Sequence, residues 1–469
     1  MTMKILNIIA ISVLLLTGAS SCKKFLDVNE NPNQPTTAPL NGMLGSVTYS
    51  TGMNVFSAGN LVANYNQYIA SSNAASPSDT YDQVDASGTW TSIYDNMTDI
   101  YDMDKFAEEL GATAHQGVGK ILMALHLSML NDLWGAAPYS EAFTLTNPTP
   151  GYDADQDIFQ NALTLLDEGI VLLQQPTPGV ALSSTLDVIH RGNIPAWIRT
   201  AYAIKARLLN QLSKTSQYNP AAILAALGNA YTENSQDAQQ TTFNVRNPWA
   251  QVAVNNAGLL LAGWLSDHFV DAMNGTTFGI LDPRLPLITN LTRFGDYRGT
   301  RNGAGRIGNG TSNEESVIKV DGVYSSTNSP LFIVTFFEMK FIEAEVTLSS
   351  DPSRAYNAYL AAIGAHMDKL GVAPADKTAY LNHPSVAVGA ANLTLQRIMD
   401  EKYKAMFLHP SSWTDARRFD YQYTDFQMPL NAVLPTFIRR LDYPSVETTR
   451  NGENVPLVNG LDQRLWWDQ

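Results

Sequence analysis

Apolar residues recur at helical spacing along most of this chain, and this repeat limits the possible folds more than any other feature. Leu125, Met129 and Leu133, for example, follow one another at intervals of four residues on one side of a predicted helix. Alternation with a period of two, which is typical of a half-buried strand, is scarce and short. We therefore expect a mainly α-helical protein whose helices bury their apolar faces against one another.

The helical segments fall into two groups. The spacing predicts helices over 115–133, 157–173 and 195–213, and again over 332–348, 352–370 and 394–408. Alanines in the second group allow neighbouring helices to approach closely, as in stacked tetratricopeptide hairpins. No strict repeat of about 34 residues is visible, so any such repeats are degenerate. Between the groups, 232–330 is rich in Asn, Gly, Thr and aromatic residues and predicts long irregular loops.

Residues 1–21 have the pattern of an export signal. Lys4 precedes an apolar stretch over 8–16, and small residues occupy 18–21. This stretch is far shorter than the roughly 20 residues needed to span a bilayer, and no later segment is apolar enough to do so. We therefore expect an exported protein that does not span the membrane.

Cys22 is the only cysteine and directly follows the small residues, where a bacterial lipoprotein carries its diacylglyceryl group. Ala19 departs from the leucine that is commonest at its place in such signals. The alternative is a free thiol beside the cleavage site. After Cys22, a proline-rich segment predicts an extended tether over 22–40. Because no further linker divides the chain, we expect one domain over 41–469.

The charge balance excludes one class of partner. The chain has 44 acidic and 30 basic residues, which gives a net charge of −14. A negative surface repels phosphate backbones, so nucleic acid is not an expected partner.

Three patterns that often mark cofactor or metal sites lack the necessary context. GAGRIG at 303–308 has the spacing of a dinucleotide-binding loop, but no predicted strand precedes it, which favours a flexible surface loop. Asp153, Asp155 and Asp157 resemble the start of a calcium loop, but Ile158 replaces its glycine, so helix capping is favoured. The seven histidines occur singly, and His126 is interpreted as a hydrogen-bonded core residue. We expect no cofactor and no metal.

Paired carboxylates could make this chain a helical glycosidase, which needs two acids facing each other across a cleft. Five acids lie on predicted helices, namely Glu338, Glu343, Glu345, Asp400 and Glu401. Acids are also common on solvated helix faces, and no nucleophile motif accompanies them. Catalysis is therefore the less favoured interpretation, and no catalytic residue is assigned.

Two stretches combine aromatic rings with polar side chains outside the predicted helices, at 81–94 and 264–301. A sugar presents apolar C–H faces and hydroxyl edges, so it needs exposed rings for stacking and polar groups for hydrogen bonds. The candidate ligand-binding residues are Tyr81, Trp90, Trp264, Phe294, Tyr297 and Arg298.

Six segments, in this order, resemble the SusD/RagB family of nutrient-binding outer-membrane lipoproteins, and in particular its SusD-like branch in Bacteroidetes. They are FLDVNENPNQPT (25–36), LNDLWGAAPYSEAF (130–143), LDPRLP (281–286), FFEMKFIEAEV (336–346), LQRIMDEKYKAMFLHPSSWTDARRFDY (395–421) and RRLDYPSVETTRN (439–451). Trp134 and Arg417 in these segments also have a structural explanation, as a core residue and as a partner of helix-end carbonyls. We therefore assign these segments to the scaffold.

The resemblance implies a helical body with tetratricopeptide-like hairpins, lipid-anchored in the outer membrane and facing the medium. It implies no enzyme activity. Members of the family form a lid over a SusC-type TonB-dependent transporter and capture oligosaccharides or peptides for import. Two other functions stay open on the residues alone: an exported α-helical glycoside hydrolase, and a purely structural helical-repeat scaffold with a protein partner.

Overall fold

The computed structural model describes residues 39–469, except Leu145, 177–178, 259–262 and 309–312. The predicted export signal, Cys22 and almost all of the predicted tether lie outside the described residues. The first helix begins at Leu40, directly after Pro39, within one residue of the predicted end of the tether.

Helices dominate the described part of the chain, which confirms the predicted mainly α-helical class. The first seven are α1 (Leu40–Val62), α2 (Pro77–Thr80), α3 (Ser87–Glu109), α4 (Thr113–Trp134), α5 (Asp155–Gln174), α6 (Ile194–Gln211) and α7 (Pro220–Leu227). The others are α8 (Pro248–Ala257), α9 (Asp267–Asn274), α10 (Leu285–Ile288), α11 (Phe336–Thr347), α12 (Pro352–Leu370), α13 (Pro374–Leu381), α14 (Leu395–Ala405), α15 (Ser411–Arg418) and α16 (Ser445–Arg450).

Four short strands form two antiparallel pairs. Strand β1 (Ile69–Ala70) pairs with β3 (Trp264–Leu265), and β2 (Ala238–Gln240) pairs with β4 (Leu331–Val334). The prediction of a helix over 332–348 is therefore wrong in its first residues, because β4 occupies them and α11 begins only after Thr335. A short run of apolar residues buried on both faces fits either a strand or a helix, so periodicity could not separate the two.

The helices stack as antiparallel hairpins, as predicted. Helices α3, α4 and α5 pack in succession, α6 packs on α5 and α7, and the α11–α12 hairpin joins them through α6 and α7.

Close approach of α4 and α5 depends on two glycines. A Cβ atom at Gly117 would lie 2.6 Å from Leu173 Cγ, and one at Gly169 would lie 2.9 Å from the Gly117 carbonyl oxygen.

The scaffold interpretation of Trp134 and Arg417 is confirmed. Trp134 is fully buried, and its Nε1 donates a hydrogen bond to the Asp442 carbonyl at 3.1 Å. The buried Arg417 donates from Nη1 to the carbonyls of Asp132, at 2.7 Å, and Arg439, at 2.9 Å. Since Asp132 lies in the last turn of α4, the guanidinium satisfies a carbonyl that the helix leaves without a partner.

A buried charge cluster ties the irregular region to the second group of helices. Arg284 is fully buried, and its Nε and Nη2 donate to both carboxylate oxygens of Asp282, at 2.8 and 2.5 Å. Its Nη2 also donates to Glu401 Oε2 on α14 at 2.8 Å, and its Nη1 donates to His366 Nδ1 on α12 at 3.1 Å. A buried charge persists only with such a complete set of partners.

His126 is a hydrogen-bonded core residue, as predicted. Its Nδ1 donates to the Leu122 carbonyl at 2.7 Å, and its Nε2 accepts from the side-chain amides of Asn54 and Asn96. Burial lowers the pKa of His126 to about 4, since protonation of Nε2 would place a charge in the core and oppose two donors.

None of the helices in the described ranges has the length and apolar character required to cross a membrane.

The glycines of α4 allow a prediction about packing. Gly117→Ala should lower the free energy of unfolding by about 1–3 kcal/mol, because the new methyl group overpacks the contact with α5. Gly119→Ala is the matched control, since its Cβ would meet only ordinary contacts, the nearest at 3.5 Å. The control should raise stability by up to about 1 kcal/mol through helix propensity. Urea unfolding measures both changes, and equal effects of the two variants would contradict this packing.

His126 allows a prediction about acid. Its pKa in the folded protein lies below the unfolded value, so the unfolded state binds more protons and stability falls as the pH drops from about 6.5 towards 4. Between pH 7 and pH 5 this histidine should account for a loss of about 2 kcal/mol. His126→Gln, which does not titrate, should reduce the loss by that amount in urea unfolding at the two pH values. An unchanged pH dependence in this variant would contradict the assignment.

Candidate functional site

Three of the six residues predicted to bind ligand are buried in the structure, namely Trp90, Tyr81 and Trp264. The segment 81–94 was expected to lie outside regular helices, but α3 begins at Ser87 and places Trp90 in its first turn. Trp90 is only 3% exposed, its ring packs edge-on against Trp134, and its Nε1 donates to Glu447 Oε1 at 3.3 Å. The expectation of an exposed stacking ring is therefore wrong for Trp90, which is a core residue at the start of α3.

The expectation of an exposed ring is also wrong for Tyr81 and Trp264, because both are buried. Tyr81 is fully buried next to Tyr65, at a ring separation of 6.1 Å. Trp264 is 4% exposed and lies in β3, paired with Ala70 of β1. Neither ring presents a face to solvent on which a sugar could stack.

Phe294, Tyr297 and Arg298 lie at the surface, in an irregular segment that meets two others. We define the loop face as residues 71–76, 291–308 and 427–433. Backbone hydrogen bonds join the three segments: Ala75 N donates to Gly303 O at 3.0 Å, and Leu430 N donates to Asn302 O at 2.9 Å. The loop face therefore combines parts of the chain that are far apart in sequence.

The buried carboxylate of Asp79 joins two segments of the loop face through hydrogen bonds. Its Oδ1 accepts from the side-chain amides of Asn64, at 2.7 Å, and Asn302, at 2.9 Å. Its Oδ2 accepts from the backbone N–H groups of Ser71, at 2.9 Å, and Gly303, at 3.0 Å. Burial raises the pKa of Asp79, and these four donors oppose that rise by favouring the charged form. One buried carboxylate thus holds segments 71–76 and 291–308 in register.

The GAGRIG segment is a surface loop, as predicted, but its contacts with neighbouring segments hold it in place. Gly303 has a φ of +81°, and a Cβ there would lie 1.8 Å from the Leu430 carbonyl oxygen. Gly305 has a φ of +74°, and a Cβ there would lie 2.5 Å from Ala74 N. Both glycines are explained by this close approach of the three segments, so the motif needs no nucleotide to account for it.

Phe294 offers an exposed aromatic ring on the loop face. It is 54% exposed, and the guanidinium carbons of Arg293 and Arg298 lie 4.8 and 4.5 Å from its ring centroid. Cation–π contacts at exposed sites contribute only about 0.5–1 kcal/mol, so a ligand that stacks on the ring can displace either guanidinium at small cost. Ring and arginines together provide a stacking surface with hydrogen-bond donors beside it.

Other polar groups extend this surface. The Arg298 guanidinium forms an ion pair with Asp296, and Arg301 Nη2 donates to Gln427 Oε1 at 3.2 Å. Tyr297 is half-buried, and its carbonyl accepts from Asn274 at the end of α9 at 3.0 Å. These contacts fix the backbone of the segment while amide, carboxylate and guanidinium groups stay accessible at its surface.

Sequence reasoning missed Arg301, Gln427 and the whole of 71–76 as parts of this face. They join it through long-range hydrogen bonds such as Asn302 to Asp79, which are 223 positions apart. No local residue spacing in the sequence indicates a contact between residues so far apart in the chain.

Each of the five acids considered for glycosidase chemistry is engaged by a partner of its own. Glu338 pairs with Arg207, Glu343 with Lys340 and Arg354, Glu345 with Lys402 and Arg418, and Glu401 with Arg284 and Lys404, while Asp400 accepts from Thr424. Burial acts to raise the pKa of Glu338, but the Arg207 guanidinium outweighs it and holds that pKa below its usual value. A general acid requires the opposite shift, which among these acids is found at Asp400, where burial raises the pKa.

Metal binding has no support in the described ranges, where no three His, Cys, Asp or Glu side chains converge as ligands. Asp155 and Asp157 lie in the first turn of α5, where their charge favours the helix N-terminus, but the N-cap residue is Ala154 and the predicted side-chain cap is not formed.

Solved structures with the same fold extend over nearly the whole chain. A SusD/RagB family protein from Bacteroides thetaiotaomicron has a TM-score of 0.76 at 18% identity, covering 92% of this chain and 99% of its own. A SusD homologue from Bacteroides fragilis has a TM-score of 0.76 at 21% identity, with 92% and 100% covered. A chitin-binding SusD homologue from Flavobacterium johnsoniae has a TM-score of 0.76 at 18% identity, with 91% and 97% covered.

No curated protein matches the chain. Residues 32–444 match the SusD-like family model described as "Starch-binding associating with outer membrane". This match extends over most of the chain and includes both groups of helices and all three segments of the loop face. The protein therefore belongs to the SusD-like family.

Proposed function

We propose that this protein is a lipid-anchored, outward-facing outer-membrane protein that captures oligosaccharides and delivers them to a SusC-type TonB-dependent transporter. The observation that carries the proposal is the family match over residues 32–444, whose description names starch binding and the outer membrane. The chitin-binding SusD homologue with the same fold supports a saccharide over a peptide as the ligand. Cys22 supplies the residue for the lipid anchor.

We place capture on the loop face, with Phe294, Tyr297 and Arg298 as ligand contacts. The exposed ring of Phe294 would stack on the C–H face of a sugar, and Arg298 would donate to its hydroxyl groups. Because Asp79 and the two glycines fix the three segments beforehand, little ordering is required when a ligand binds. An open face of this kind suits a chain of several sugar rings better than a single ring.

Stacking on Phe294 has a measurable consequence. Phe294→Ala should weaken oligosaccharide binding about tenfold, which corresponds to about 1.4 kcal/mol. Isothermal titration calorimetry with maltoheptaose and chitohexaose measures the change. The matched control is Leu457→Ala, which removes another exposed apolar side chain, one that is 81% exposed and outside the loop face.

The control should leave binding unchanged. Equal affinities of the Phe294 variant, the Leu457 variant and the wild type would contradict the placement of capture on the loop face. If neither oligosaccharide, nor a panel of short peptides, binds the wild type, the proposed function itself is wrong.

The lipid anchor predicts a change in cell fractionation. Cys22→Ser should move the protein from the outer-membrane fraction to a soluble fraction, because two or three acyl chains provide the stable attachment. Immunoblotting of fractions detects the shift, and the wild type should also co-purify from detergent with a TonB-dependent barrel identified by mass spectrometry. Retention of the serine variant in the membrane would contradict anchoring through Cys22.

A further inference from the structure

A cavity of about 260 Å³ opens between α3, α4 and the α4–α5 connection, apart from the loop face. Its walls are three aromatic rings, Tyr101 of α3 and Tyr139 and Phe143 of the connection. The ring centroid of Phe143 lies 5.5 Å from that of Tyr101 and 6.4 Å from that of Tyr139. Tyr139 is only partly buried and lines this cavity.

The connection that carries these rings is held in a defined conformation. Asp153 Oδ2 accepts from the backbone N–H groups of Tyr139 and Ser140, both at 2.8 Å. Tyr94 donates its hydroxyl hydrogen to the Pro138 carbonyl at 2.8 Å. Phe143 has a φ of +65°, which is unfavourable for a bulky residue, so these surrounding contacts maintain the position of its ring.

Gly119 creates the space in front of the rings. It lies on α4 among the lining residues, and a Cβ there would have its nearest contact at 3.5 Å, with Met103. A methyl group therefore fits at this position, and a larger side chain is expected to extend into the cavity that Gly119 lines.

One wall of the cavity carries a carboxylate with an unsatisfied oxygen. Asp104 Oδ2 forms an ion pair with Lys120 at 3.0 Å. Asp104 Oδ1 is buried and has no hydrogen-bond partner among the residues that the structure describes. Because this oxygen has almost no accessible surface, a ligand in the cavity meets the Asp104–Lys120 ion pair and not Oδ1.

The arrangement matches the chemistry of a sugar ring. Aromatic walls accept the apolar C–H face, and the Asp104–Lys120 ion pair among the lining residues offers an acceptor and a donor to hydroxyl groups. Ligand pockets commonly have volumes of about 300–1,000 Å³, so a cavity at the lower limit fits one ring and excludes a longer chain.

We propose that this cavity is a second saccharide site, which binds one neutral pyranose ring. The ligand class rests on the proposed function, while the site is independent of the loop face. The cavity takes one ring, whereas the loop face contacts several rings.

Saturation-transfer NMR with D-glucose and N-acetyl-D-glucosamine tests the site on the purified protein. The wild type should bind at least one of the two sugars, and Gly119→Leu should abolish that binding by filling the cavity. Asp104→Ala should weaken it at least tenfold, and it serves as a second variant should Gly119→Leu fail to fold. The matched control is Glu168→Ala, which removes another carboxylate near Lys120, at 3.9 Å, that does not line the cavity.

Glu168→Ala should leave monosaccharide binding within twofold of the wild type. The second-site proposal is overturned if neither sugar binds, if the Asp104 and Glu168 variants weaken binding equally, or if phenol binds in place of the sugars. Failure of the two proposals is distinguishable. In the wild type, monosaccharide binding without oligosaccharide binding rejects the loop face, and oligosaccharide binding without monosaccharide binding rejects this cavity.

Discussion

The buried guanidinium of Arg284 is the contact on which the placement of the loops depends. Its partners come from three regions: Asp282 beside it, His366 on α12 and Glu401 on α14. Removal of one partner from a buried ion pair typically costs about 3–5 kcal/mol, because the remaining charge is left uncompensated. The irregular region between the two groups of helices therefore cannot move relative to α12 and α14 without exposing or isolating a charge. Arg284 fixes the position of this region on the second group of helices.

Asp79 repeats this principle beneath the loop face, where it is also buried, with neutral donors in place of charged ones. Four N–H groups surround its carboxylate and join segments that are far apart in the chain. Gly303 and Gly305 then allow the segments to touch, since any side chain there would collide with a neighbouring backbone. The result is an irregular surface with a defined shape. Such a surface binds a ligand without first losing conformational entropy.

Periodicity predicted six of the helices, because each has to bury one apolar face, but it did not single out α1 or α3. The segment 352–370 coincides with α12, and the other predicted helices differ mainly at their ends. The site was less predictable. Trp90, Ile93 and Met97 have helical spacing, a signal that could have placed Trp90 in the core, whereas nothing local in the sequence indicates that Asp79 meets Asn302. Long-range contacts of this kind determine which aromatic rings stay exposed.

The central claim of this account is that one preformed surface, the loop face, captures the saccharide. Hydrogen–deuterium exchange of the purified protein, with and without a saturating oligosaccharide, tests it most directly. The account predicts slower exchange in 71–76, 291–308 and 427–433 together, since a ligand on the loop face contacts segments that move as one unit. Saturable binding that leaves exchange in all three segments unchanged would contradict it.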